Sequence, residues 1–222
     1  IDWPGSAGWA MRIVKDAKVR KLVARLLRAR SDGQKVIVFS QFTDSLAYVK
    51  SVFSAIDALD RHDWSVVTGL LGTDAGCPVT EQDVRALVSR SAVVTGDTED
   101  RDLAIHAFAP FYRLGPWQPR SVGMPHDEYL ALHQQWQHGW TVALQQPIDV
   151  MFATDVLAEG VNLQDVALLI NFDVHWNPVR MIQRAGRIDR RLNPAIEEAE
   201  SFPDLEALAE ELGLPAPTYW WH

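Results

Sequence analysis

Apolar residues along this chain follow two patterns. At 16–29 they recur at helical spacing, with lysines and arginines on the opposite side. At 35–40, 92–95, 149–154 and 166–172 they form short runs rich in β-branched residues, which is typical of strands buried on both faces. Further helical patterns occupy 43–56, 80–89, 99–108, 127–144 and 178–191. Strands alternating with helices predict an α/β fold with a parallel sheet.

Two stretches interrupt this alternation. Residues 57–92 form a long connection, in which we predict a weak strand at 64–68 and a Gly-rich loop at 69–78. Residues 110–146 form a second excursion, which we interpret as a helical insertion. The predicted organisation is a basic N-terminal helical segment (1–34), an α/β lobe (35–194) containing the insertion, and an acidic C-terminal helix and tail (195–222). The insertion is either a helical cap on the sheet, the simpler alternative, or a contact for a partner.

Charge is segregated along the chain. The net charge of its 222 residues is −8, yet nine lysines and arginines lie between Arg12 and Lys35 against two acids. A second basic zone lies at 180–191, and residues 195–211 hold seven acids and no base. The single cysteine, Cys77, excludes an internal disulfide and favours a reducing, cytoplasmic compartment. No run is apolar enough to span a bilayer, so we expect no membrane partner. Because the sequence does not start with Met, we expect a piece of a longer protein.

The most distinctive chemistry lies at 183–190, which reads Gln-Arg-Ala-Gly-Arg-Ile-Asp-Arg. On a helix, Arg184, Arg187 and Arg190 lie near one face, and Gly186 permits a close approach by a backbone or a ligand. Arginine suits bidentate recognition of phosphate, and such a row can neutralise the charge on a γ-phosphate. Taken alone, the row is more simply a solvated basic helix face.

Other blocks of the chain favour the functional interpretation. Five blocks of the sequence resemble motifs of superfamily 2 helicases, and within them of Swi/Snf-type translocases, and they occur in the same order as in that family. The blocks are residues 36–43, the set Gly96, Arg101 and Phe108, residues 153–164, residues 169–178, and the arginine block at 183–190. The resemblance implies the second, C-terminal RecA-like lobe of such a motor. Because ligands of open parallel sheets bind beyond the carboxyl ends of the strands, we expect residues 40–41, 154–155 and Asp173 to share one rim.

The resemblance also implies roles for individual residues. It implies that Arg187 and Arg190 act on the γ-phosphate of ATP. The implied ATP-binding residues are Gly160, Asn162, Gln183, Arg184 and Gly186. The implied nucleic-acid contacts are Ser40, Gln41, Arg101 and Thr154. Arg184 is alternatively a residue that organises the motif by pairing with Asp155 or Asp173. His175 and Trp176 either stack on a base or, as we favour for Trp176, pack on a neighbouring helix.

Two elements of a complete motor are absent from the sequence. There is no Gly-rich Lys-Ser/Thr loop to hold phosphates and no acidic block after a strand to hold Mg²⁺. In the family both belong to a first RecA-like lobe, which is therefore an expected partner. We expect ATP and Mg²⁺ in the whole protein, and we expect this chain alone neither to hydrolyse nor to bind ATP tightly. Its histidines show no metal-ligand spacing, so we predict no metal site within it.

Alternatives remain open for the function. The Swi/Snf-type resemblance favours translocation on duplex DNA. One alternative is a non-catalytic, helicase-like module that binds nucleic acid or protein. Another is an unrelated parallel α/β enzyme, which predicts a Gly-rich loop after the first strand, where residues 40–43 read Ser-Gln-Phe-Thr.

Overall fold

A parallel four-stranded sheet forms the centre of the protein. It is seen in a computed structural model that describes residues 15–56, 59–110, 114, 125–158, 163 and 165–188. The strands are β1 (Val36–Phe39), β2 (Ser91–Val94), β3 (Val150–Ala153) and β4 (Leu168–Asn171). They lie in the order β2-β3-β1-β4, and all neighbours are parallel. The predicted α/β fold is confirmed, and it is consistent with a RecA-like domain.

In the described part of the chain, seven α-helices flank the sheet. Their bounds are α1 (Ala17–Ser31), α2 (Thr43–Ile56), α3 (Arg61–Ala75), α4 (Glu81–Ser89), α5 (Arg101–Phe108), α6 (His126–Gln145) and α7 (Pro178–Ile188). Asp16 caps α1, because its side chain accepts hydrogen bonds from the backbone N–H groups of Lys18 and Val19. Thr80 and Asp83 form a reciprocal capping box at the start of α4.

The side chains of each central strand alternate between two cores. Val36 and Val38 of β1 point into a core formed with α1 to α4, whereas Ile37 and Phe39 point into a core on the other face, which includes α5. Helix α6 packs against α5, and its Trp140 is fully buried. Burial on both faces explains why the strands are continuous apolar runs in the sequence.

The predicted strand at 64–68 and most of the predicted loop at 69–78 are wrong, because these residues belong to α3. Asp60 caps this helix by accepting a hydrogen bond from the Asp63 N–H at 2.8 Å. Trp64, Val67 and Leu71 are buried at helical spacing. The helix ends at Gly76, whose φ of 68° is the left-handed conformation that glycine adopts easily. The β-branched residues at 66–68 favour a strand locally, but the helical spacing of the buried side chains extends over the longer range 64–71 and prevails.

Charged residues close the amino-terminal edge of the sheet. Asp149, just before β3, lies 3.2 Å from Arg30 Nε and 2.9 Å from Arg90 Nε. Lys35, just before β1, donates from Nζ to the Phe108 carbonyl at 2.6 Å. Desolvation lowers the pKa of Lys35 to about 8, although Asp165 and Asp149 raise it in part. The charges at this edge therefore have partners within the protein.

Several predicted segments lie outside the described residues. These are residues 1–14, 111–124 apart from residue 114, the turn at 159–162, and everything beyond residue 188, including the acidic helix and tail. The domain boundaries proposed from the sequence therefore stay predictions.

Candidate nucleotide and nucleic-acid site

The carboxyl ends of β1, β3 and β4 meet at one rim of the sheet. The register places Phe39 of β1 beside Ala153 of β3 and Asn171 of β4, so the residues that follow these strands are neighbours. The backbone pairing continues past the strands, since Ser40 N donates to the Ala153 carbonyl at 3.0 Å. The predicted common rim of residues 40–41, 154–155 and Asp173 is confirmed.

Arg184 is the buried centre of this rim. Its side chain is 0% exposed, although it carries a positive charge. Nε donates to Asp155 Oδ1 at 2.7 Å, one terminal nitrogen donates to Asn171 Oδ1 at 2.7 Å, and the other lies 2.6 Å from Asp155 Oδ1. The guanidinium also lies over the Phe39 ring, 5.1 Å from its centroid. One arginine of α7 thus ties together the ends of three strands.

The predicted pairing of Arg184 with an acid is confirmed for Asp155. Asp173 has other partners. The contact with Asn171 was missed in the sequence, where a polar residue ending an apolar run was the one available signal. Because its donors are turned inward to Asp155 and Asn171, Arg184 holds α7 in place in this structure. Its implied contact with ATP stays a prediction.

Asp173 joins β1, β4 and α1. Its carboxylate accepts a hydrogen bond from Ser40 Oγ at 2.5 Å and one from Lys18 Nζ at 3.1 Å. Lys18 also lies 3.9 Å from the centroid of the Phe172 ring. Partial burial raises the pKa of Asp173, but the hydrogen bonds from Ser40 and Lys18 outweigh it and hold the pKa below its ordinary value. Asp173 is therefore a carboxylate that fixes the ends of two strands.

Thr154 brings a buried hydroxyl without a described hydrogen-bond partner to the rim. The residue is 7% exposed, and its Oγ1 makes no hydrogen bond within the part of the chain that the structure describes. An unsatisfied buried hydroxyl costs about 1–3 kcal/mol. Such a group at a strand end is a donor that the oxygen of a bound ligand can satisfy.

The remaining predicted residues are placed as follows. Ser40 is buried, and its hydroxyl is engaged by Asp173. Gln41 is half-buried, Arg101 is exposed at the first position of α5, and Gln183 is exposed on α7. A Cβ on Gly186 would meet no described atom within 4 Å, so this position of α7 is open. Arg187 lies in α7, but its side chain is not described, and Gly160, Asn162 and Arg190 lie outside the described residues.

The turn from β4 to α7 presents an apolar surface to solvent. Trp176 is 85% exposed, so the expectation that it packs on a neighbouring helix is wrong. Its ring stacks on His175 with centroids 5.7 Å apart. Asn177 fixes the turn, because its N–H donates to His175 Nδ1 and its Oδ1 accepts from the Val179 N–H, both at 2.9 Å. The exposed apolar residues of this turn and of the α7 segment after it are Val174, Trp176, Val179 and Ile182, and Phe42 after β1 is exposed as well.

Within the described ranges, no three or more His, Cys, Asp or Glu side chains form a cluster able to hold a metal ion. Over the same residues, no helix combines the length and the apolar character needed to cross a membrane.

Comparison with known proteins points to the same part of the chain. Residues 122–191 match the family described as helicase conserved C-terminal domain. This range contains α6, β3, β4 and α7, and therefore Thr154, Asp155, Asn171 and Arg184. The chain is also similar to a Bacillus subtilis (strain 168) protein named uncharacterized ATP-dependent helicase YqhH, with 51% identity over 43 residues. The aligned segment covers 19% of this chain and 8% of that relative. The matches and the fold support a helicase C-terminal domain.

Proposed function

We propose that this chain is the C-terminal motor lobe of an ATP-dependent nucleic-acid translocase or helicase. In this proposal a first RecA-like lobe supplies the phosphate-binding loop, and the present lobe closes on the nucleotide from the other side. The observation that carries the proposal is the buried Arg184, which anchors α7 to the carboxyl ends of β3 and β4. The match of this segment to helicase C-terminal domains and the similarity to an ATP-dependent helicase support it.

Arg187 and Arg190 are the proposed arginine fingers. Arg187 is three positions and Arg190 six positions after Arg184 in the sequence. In a continuous helix, this spacing would place the three side chains near one side. Because the contacts of Arg184 restrict the movement of α7, the helix loses little further conformational entropy when ATP binds. Positive charge held in advance stabilises the charge that develops on the transferred γ-phosphoryl group.

The described residues fit a nucleotide in part. The exposed Gln183 and the open position at Gly186 leave one side of α7 accessible to a ligand, and Gly160 and Asn162 complete the proposed ATP contacts. ATP supplies the phosphoanhydride bond whose cleavage drives the motor. We assign no ligand of Mg²⁺ to the described residues, and the proposal places the ion with the first lobe.

The rim is also the proposed track for nucleic acid. Thr154 Oγ1 can donate to a phosphate oxygen, which would satisfy a hydroxyl that has no partner among the described residues. Gln41 follows β1, and Arg101 begins α5, the helix after β2, so the proposal assigns both to the track. Ser40 is assigned to the track with them, and its bond to Asp173 would have to open or be shared. The Swi/Snf-type motif order, with Trp176, Asn177 and Pro178, favours duplex DNA and translocation.

The apolar surface of the β4–α7 turn is the proposed contact for the first lobe. It lies beside α7, and a surface that carries Trp176 and Ile182 in the open is costly unless another domain covers it in the working state.

The test is nucleic-acid-stimulated ATP hydrolysis by the polypeptide that carries both lobes. We expect Arg187→Ala and Arg190→Ala each to reduce kcat by about a thousandfold or more, with ATP still bound, because arginine fingers act mainly in the transition state. Arg85→Ala is the matched control, since Arg85 pairs with Glu81 on α4, away from the rim. The 222-residue chain alone should show no hydrolysis.

Two results would count against the proposal. Undiminished hydrolysis in both variants would remove the finger assignment. Absence of hydrolysis in the wild-type two-lobe polypeptide would leave a helicase-like module that only binds nucleic acid or protein.

A further inference from the structure

Helix α1 carries a row of basic side chains down the flank of the domain. Lys18, Lys21, Arg25 and Arg28 are exposed, whereas Val19, Leu22, Val23, Leu26 and Leu27 between them are buried. At 100° per residue the four cations fall within an arc of about 80°, and they span about 15 Å. We name this row the α1 stripe.

The α1 stripe begins at the rim of the sheet. Lys18 reaches Asp173 and Phe172 beyond the carboxyl end of β4. At the other end of α1, Arg30 reaches Asp149, which precedes β3 at the opposite edge. The helix therefore runs antiparallel to the strands, and the α1 stripe is a continuation of the rim along one side of the domain.

The positive charge of the α1 stripe is concentrated at its centre. Lys18 pairs with Asp173, and Arg28 pairs with Asp32. Lys21 and Arg25, in the middle, face no carboxylate partner within the part of the chain that the structure describes. Lys21 and Arg25 are not needed to hold α1 in place, because the buried side of the helix already packs in the core.

We propose that the α1 stripe binds the phosphate backbone of the nucleic acid that the rim engages, as a second track beside it. This inference rests on the proposed function, since it assumes nucleic acid at the rim. A row of cations at helical spacing suits a regular line of phosphates and reads no sequence. A membrane surface fits less well, because no large apolar side chain is exposed along the described part of α1, and interfacial helices need such residues beside their cations.

The experiment measures binding of the 222-residue chain to a fluorescent duplex of about 20 base pairs by anisotropy, over a range of salt concentrations. We expect the double variant Lys21→Ala with Arg25→Ala to bind about tenfold more weakly at about 50 mM salt, and the salt slope to fall by roughly 1–2, since each lost phosphate contact removes about 0.9 from it. Alanine favours helix, so α1 should persist, which circular dichroism can verify.

The matched control is Lys50→Ala with Arg61→Ala. Both residues are exposed on other helices, and the pair removes the same two charges. Equal weakening in both double variants would mean that net charge alone matters and would overturn the proposal. So would an unchanged salt slope in the α1 variant, or a failure of the wild-type chain to bind duplex at low salt. Equally tight binding to vesicles of anionic lipid that depends on Lys21 and Arg25 would assign the α1 stripe to membranes instead.

A rim variant separates this inference from the proposed function. If Thr154→Val weakens binding and the α1 variant does not, the rim contacts hold and the α1 stripe is overturned. If the α1 variant weakens binding and Thr154→Val does not, the α1 stripe stands and the rim assignment of Thr154 fails.

Discussion

The two edges of the sheet treat their polar groups in opposite ways. At the amino-terminal edge, Asp149 is shared by Arg30 and Arg90, and Lys35 donates to a backbone carbonyl. At the carboxyl rim, Arg184 is paired with Asp155 and Asn171, yet the Thr154 hydroxyl beside it has no partner within the described residues, and the neighbouring turn exposes Trp176. The charges of the first edge are paired, whereas the rim leaves a buried hydroxyl without a described partner and a tryptophan exposed to solvent.

Removing Arg184 should produce the largest effect on stability. Arg184→Met fills a similar volume but leaves the Asp155 carboxylate and the Asn171 amide without their partner. We expect the free energy of unfolding to fall by about 3 kcal/mol, which is typical when one member of a buried ion pair is lost. Urea denaturation monitored by tryptophan fluorescence measures it.

Arg180→Met is the matched control for this prediction. It lies on the same helix, is partly exposed, and approaches Asp155 only to 4.0 Å, so it should cost less than about 1 kcal/mol. Equal losses in the two variants would contradict the view that Arg184 is the buried anchor of the rim.

The buried Lys35 at the amino-terminal edge should make the stability of the protein depend on pH. The pKa of Lys35 is about 8 in the folded protein and returns towards 10.5 on unfolding. Between these values the unfolded chain binds a proton that the folded protein does not, so stability rises with pH across this window. Lys35→Met removes this dependence. We expect the stability difference, wild type minus variant, to grow by about 2 kcal/mol from pH 7 to pH 10.

Lys50→Met is the control, because Lys50 is exposed on α2. Unfolding curves at the two pH values suffice. A stability difference for Lys35→Met that stays constant with pH would show that the Lys35 ammonium is not desolvated at this edge.

The smallest expected effect on stability is that of Thr154→Val, and it tests the contrast between the two edges most directly. Thr154→Val removes a buried hydroxyl that has no described partner and keeps the shape of the side chain. We expect stability to stay equal or to rise by about 1 kcal/mol, with nucleic-acid binding weakened. Thermal unfolding and duplex binding measured on the same sample test this. A loss of stability would show that the Thr154 hydroxyl is satisfied within the protein, and the contrast between the edges would then fail.

The fold was largely predictable because strands that are buried on both faces appear in the sequence as continuous apolar runs. Continuous apolar runs such as 36–39 and 150–153 have few other interpretations, and parallel strands necessarily bring their carboxyl ends to one edge. Helix α3 was harder. Its sequence contains two internal glycines and a run of three β-branched residues at 66–68, and local preference there is weaker than the packing of Trp64, Val67 and Leu71.

The site was predictable in its location and less so in its contacts. Ser40 and Asp173 are separated by 133 positions, and Lys18 and Asp173 by 155, so no local spacing relates them. The predicted rim left two candidate partners for Arg184, Asp155 and Asp173, and Asp155 is the partner in the structure. That it also binds Asn171 depends on the register of β4, which the sequence pattern does not specify.

The order of the strands has a consequence for how the chain folds. Strands β1 and β2 are not neighbours, and β3 lies between them. During synthesis neither strand has a sheet partner until residues 150–153 have emerged. Strands β1 and β2 therefore stay unpaired until β3 has been synthesised. Because unpaired strand edges can pair with other chains, a nascent chain that stops before β3 is prone to aggregate. Pairings between such distant segments also predict slow folding.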